Sequence, residues 1–112
     1  MPIKNTTKKT LLAKNAKLCK NIFSKSLGLM FSKQKALILI FKKEKIIPLH
    51  MFFVFYPIDI LFLNKNKIIV EIKENLKPFM LYIPKKKAMC IIELPKNTIK
   101  KSNTKIGDKI SF

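Results

Sequence analysis

Arginine and tryptophan are missing from this sequence, and glycine, cysteine, histidine and acids are scarce: two Gly, two Cys, one His and six Asp or Glu in 112 residues. Each shortage closes off a class of function. Without arginine there are no guanidinium forks for bidentate contacts to bases or phosphates. With only Gly28 and Gly107, no glycine-rich loop exists to cradle a phosphate. One histidine, two distant cysteines and scattered acids offer no metal-ligand spacing, so neither metal nor cofactor is expected. Cys19 and Cys90 have no C-x-x-C partner, and the first ten residues contain no apolar segment of a secretory signal. Both thiols therefore read as reduced and buried, in a cytoplasmic protein.

Lysine and apolar residues fill the remainder. There are 24 Lys, a net charge of +18 and 48% hydrophobic residues. That composition is globular rather than disordered. The length suits a single domain able to bury roughly two-thirds of its unfolded surface. Residues 1–10 read as a frayed basic tail, and 11–112 as a single compact β domain.

The longest apolar run, Leu49 to Leu63, organises the chain. From Ile46 to Leu63 it reaches the ~18 residues at which a membrane helix becomes feasible. Pro57 interrupts it, and Asp59 within a span would cost roughly 2.5–3.5 kcal/mol. Its Phe, Ile and Val favour pleated structure. The expectation is two strand segments, about 49–55 and 58–63, with a kink at Tyr56-Pro57 where the chain bends or switches sheets.

Elsewhere a strand is expected near 15–20, a short helical turn over 24–30 capped by Ser24, and a strand covered on both faces over Ala36–Phe41. Lys42–Lys45 reads as a solvated connection and Asn64–Lys67 as a hairpin turn. Lys67–Lys73 alternates, with Ile68, Val70 and Ile72 inward and Lys67, Glu71 and Lys73 outward. Phe79–Ile83, between Pro78 and Pro84, is an edge segment. Ala88–Leu94 is apolar on both faces apart from Glu93, so it belongs at the centre. A short amphipathic turn over 96–103 and a last strand over 109–112 complete a small, predominantly antiparallel β barrel or sandwich with one or two short helices.

Several short motifs occur in a telling order: Gly28-Leu-Met-Phe31, Leu49-His-Met-x-Phe-Val-Phe-x-Pro-Ile-Asp59 leading to Phe62-Leu63, Lys77-Pro78, Ile92-Glu-Leu-Pro95 and Gly107-Asp108. Over residues 11–112 the chain resembles the prokaryotic family called domain of unknown function 192, or uncharacterised protein family 0127. The resemblance implies a compact, predominantly antiparallel β fold and transfers no catalytic residues. Relatives usually carry Gly after Glu-Leu-Pro-x; Asn97 stands there, the next-best residue for a left-handed backbone.

Three functional readings remain open. The first is a non-enzymatic binding domain for a small ligand or protein, with a rim of Gly28, Met30, His50 and Asp59 lining a cleft. The second is non-specific nucleic-acid binding through lysine clusters, which fall at nearly every connection. The third is an enzyme using Asp59 and His50 as a pair, for which no nucleophile motif is present. Against it, Asp59 reads as a carboxylate pinning the Pro57 bend, and His50 as packing against Phe52 and Val54 or capping a loop. Glu71 reads as solvated. The oligomeric state is left open by the sequence.

Overall fold

A computed structural model describes residues 1–19, 36–50 and 56–112. Among the described residues ten strands and one short helix follow in order: β1 (Ile3–Asn5), β2 (Thr10–Ala13), β3 (Ala16–Cys19), β4 (Ala36–Lys45), β5 (Leu49–His50), β6 (Ile58–Leu63), β7 (Ile69–Leu76), β8 (Leu81–Tyr82), β9 (Ala88–Pro95), α1 (Thr98–Lys101) and β10 (Ile110–Ser111). The helical turn expected over 24–30 lies outside the described residues, with Gly28 and Met30.

The central sheet has the order β3-β4-β9-β6-β7. Its pairs are antiparallel except β3 with β4, which run parallel. β9 takes the middle position that its two-sided apolar pattern requires, and all six residues of the adjoining β6 are buried. Strand alternation then sorts the side chains into two cores. On the front face Leu37, Leu39, Ile60, Phe62 and Ile91 pack together, joined by Leu49 and Tyr82 of the β5-β8 ribbon. On the back face Ile38, Leu61, Leu63, Ile92 and Leu94 meet Ile3, Leu12 and Ile110 of a second sheet, ordered β10-β1-β2, and Ile99 of α1. Burying each such side chain contributes about 1.5–3 kcal/mol, so the back core welds the chain's two ends onto the sheet. The fold is thus mainly β and layered; the described sheets do not close into a barrel.

The described ends of the long apolar run, Leu49–His50 and Ile58–Leu63, are strands, and they lie in two different sheets. β5 belongs to the ribbon with β8, whereas β6 belongs to the central sheet. Residues 51–55 lie outside the described set. Among the described residues no helix is long and apolar enough to cross a membrane.

Three expectations change. Residues 1–10 are not a frayed tail: Ile3 and Asn5 are fully buried, and β1 is the middle strand of its sheet. Lys42–Lys45 is not a connection but the continuation of β4. The alternation over Lys67–Lys73 is interrupted by a β-bulge. Phe62 pairs with Glu71 and Leu63 with Ile69, leaving Val70 as the extra residue. Ile69 and Ile72 consequently go to the back core while Val70 packs in the front one, and Glu71 is drawn toward Tyr82. The turn at Asn64–Lys67 forms as expected, with the left-handed residue at Lys67 (φ 61°) and Asn64 Oδ1 accepting the N–H groups of Asn66 and Ile68.

Candidate binding face around Glu93

Asp59 is 1% exposed and points to the back of β6. Its Oδ1 accepts the Asn75 N–H at 2.9 Å and its Oδ2 the Ile99 N–H at 3.0 Å. Asn75 has φ 54°, a left-handed conformation that asparagine tolerates, and sits where β7 bulges against β6. One carboxylate therefore ties the bulged edge strand to the start of α1. His50 lies on β5, where it pairs with Leu81. Because β5 joins the front core through Leu49, the central sheet stands between the Asp59 carboxylate and the strand carrying His50. The structure does not bring the Asp59 carboxylate to that strand, and Gly28 and Met30 lie outside the described residues.

The front face holds a different carboxyl. Glu93 occupies the central strand β9, flanked in register by Leu37 of β4 and Ile60 of β6. Its parity is that of Ile91, so it faces front, among apolar neighbours. It is 7% exposed, and no described residue offers it a hydrogen bond or an ion pair. Burial raises its pKa to about 7, because taking a carboxylate out of water disfavours the charged form. Lys73 pairs with Ile60 on the far side, which places it in the same row, two strand spacings or about 10 Å away.

Next to this row lies a small polar cluster. The Tyr82 hydroxyl donates to Glu71 Oε2, and Glu71 Oε1 accepts the N–H groups of Lys85 and Lys86, both at 2.9 Å. The Tyr82 ring packs against Phe62 with centroids 5.8 Å apart, and Lys73 Nζ stands 5.8 Å from its centroid. Burial, the hydrogen bond to Glu71 and the charge of Glu71 together push the Tyr82 phenol up to about 12. Glu71 is thus no solvated surface acid: it clamps the stem of the loop that carries β8.

A second polar cluster, on the back layer, has no counterpart in the sequence reading. Buried Asn5 donates through Nδ2 to Thr104 Oγ1 (3.1 Å) and Asp108 Oδ2 (2.9 Å), and accepts the Lys8 N–H. Asp108 also receives Lys8 Nζ and the Lys105 N–H. Burial works to raise the Asp108 pKa, but the Asn5 amide, Lys8 and the Lys105 N–H outweigh it and hold the carboxyl below its ordinary value. Every member is engaged, which marks a structural lock rather than a site awaiting a ligand. Two open grooves, of about 590 and 440 Å³, lie between β7 and the α1 region and beside Asn5. Neither is lined by Asp59 or Glu93.

Comparison with known proteins places these features in a family. Residues 3–112 match the family model DUF192, described as Uncharacterized ACR, COG1430. A UPF0127 protein of Pyrococcus horikoshii is 34% identical, over 98% of this chain and 97% of its own. Another from Pyrococcus furiosus is 33% identical, over 96% and 95%. The fold resembles a crystal structure of a protein of unknown function from Novosphingobium aromaticivorans, with TM-score 0.88, 18% identity and coverage of 100% and 84%. A crystal structure from Sinorhizobium meliloti gives TM-score 0.84 at 18% identity, covering 98% and 89%.

Proposed function

We propose that this chain, which belongs to the uncharacterised family DUF192, is a small ligand-binding domain whose site is the Glu93 region of the front face. The observation that carries the reading is Glu93 itself, buried on the central strand without a hydrogen-bond donor among the described residues. Burial disfavours the charged form of that carboxyl, and a donor placed beside it would favour it. A ligand with an ammonium or amide N–H head would supply one where the Glu93 side chain, 7% exposed, still meets the surface.

A thermal-shift screen of apolar amines and primary amides at pH 6 and pH 8, followed by amide NMR, tests this. Binders should shift Leu37, Ile60 and Glu93, and Glu93→Gln should weaken them by about tenfold, the effect of a lost charge-assisted hydrogen bond. If no compound binds, and Glu93→Leu is both native-like and more stable, the carboxyl is merely buried and the reading fails.

A second reading, polyanion binding, rests on charge. Among the described residues one ion pair forms, Lys8 with Asp108, so most lysines stay uncompensated at a net charge of +18. Titration with duplex DNA and RNA across salt checks it; failure to bind at low salt removes it.

A further inference from the structure

The chain between β7 and β9 has a feature that neither reading uses. Phe79, Met80, Leu81 and Ile83 are 51–61% exposed, four large apolar side chains within five residues. Scattered apolar residues on a surface are ordinary, but a contiguous set is a mark of an interaction site. Phe79 adopts φ 63°, a left-handed conformation that bulky residues seldom take.

The loop is presented on a fixed stem. Glu71 accepts the Lys85 and Lys86 N–H groups and the Tyr82 hydroxyl. Pro84 is buried, and Leu81-Tyr82 pairs with Leu49-His50. Around the apolar tip stand Lys77, Lys85, Lys86 and Lys87, all exposed, and no acid occurs from 77 to 87. An exposed apolar segment flanked by lysines fits a surface that is apolar inside and anionic outside.

We propose that this loop is a peripheral membrane anchor: its four apolar tip residues enter the interfacial layer of an anionic bilayer while the flanking lysines engage lipid phosphates. Charge supports a bilayer: four exposed lysines and no acid among residues 77–87 complement anionic lipid headgroups. Aliphatic Met80, Leu81 and Ile83 favour acyl chains over nucleobases, which are held by stacking. The proposal concerns adsorption from one side, not a span, and is independent of the Glu93 site.

Co-sedimentation of the full chain with phosphatidylcholine vesicles, with and without phosphatidylglycerol, tests it. Binding is expected to the mixed vesicles alone, and to weaken but persist as salt rises. Met80→Asp with Ile83→Asp, both exposed and so compatible with an unchanged melting temperature, should reduce binding by about tenfold or more, since binding scales with inserted apolar area. Replacing Lys85, Lys86 and Lys87 by Gln should cost about fivefold per lysine. No binding to anionic vesicles at low salt overturns the proposal. So does binding that ignores the double Asp variant, which would reflect the overall field alone. If vesicles are not bound and the double variant instead abolishes self-association in the ultracentrifuge, the tip is a protein contact and the lipid assignment is wrong.

Discussion

Asp59 and Ile99 are 40 residues apart in sequence, yet the carboxylate of one accepts the backbone N–H of the other at 3.0 Å inside the back core. The same group holds Asn75 at 2.9 Å. Removing it strands two N–H donors, that of Ile99 inside the buried core. Asp59→Ala should therefore cost about 2–4 kcal/mol in urea denaturation. Asp59→Asn should fall between, since an amide presents one acceptor oxygen and one unwanted donor face. A change under about 0.5 kcal/mol would show that the corner is held by other contacts.

Glu93 should make stability depend on pH in the direction opposite to most carboxylates. Its pKa rises from 4.5 to about 7 on folding, so between those values the folded state binds more protons than the unfolded one. Its favourable contribution is complete below about 4.5, falls as pH rises through about 7, and levels off above. The full swing is on the order of 3 kcal/mol. Denaturation midpoints from pH 4.5 to 8 should fall in the wild type and flatten in Glu93→Gln.

Tyr82 should ionise late. In a Tyr56→Phe background, ultraviolet titration should place the phenol near 12, and Glu71→Gln should bring it down by removing the negative acceptor. The same substitution loosens the clamp on Lys85 and Lys86, so hydrogen exchange at those amides should quicken by about tenfold or more.

Asn5→Ala should be among the more damaging polar substitutions, about 2–3 kcal/mol, because it deprives buried Thr104 and Asp108 of a shared donor. Since the folded Asp108 carboxyl titrates below its ordinary value, its contribution is present above that value and lost as pH falls through the folded one. Acid unfolding of Asp108→Asn should accordingly show a shallower low-pH limb than the wild type.

Much of this architecture is visible in the chain before any coordinates. Strands β6 and β9 announce themselves as apolar on both faces, and Asn97 takes the left-handed conformation (φ 74°) that its place after Glu-Leu-Pro-x suggests. Less visible is whatever depends on distant register. Ile3 and Asn5 sit among lysines and threonines and look like a tail, because the residues that bury them lie about a hundred positions away. The alternation around Glu71 is regular in sequence, and the bulge at Val70 that redirects it is set by how β6 pairs. Glu93 is the one charged residue in its strand, but whether such a residue meets a donor or an apolar wall depends on its neighbours. In this fold they are Leu37 and Ile60.

The pairing of Asn5 with Thr104 and Asp108 has a consequence for biogenesis. Ribosomal synthesis delivers the early segment long before its partners, so the Asn5 amide cannot be locked until residues 104–108 have been made. Closure of so long a loop is entropically slow. The last native interactions to form should thus be those joining the two ends, and a stalled or shortened nascent chain would leave an unguarded β-edge open to other chains.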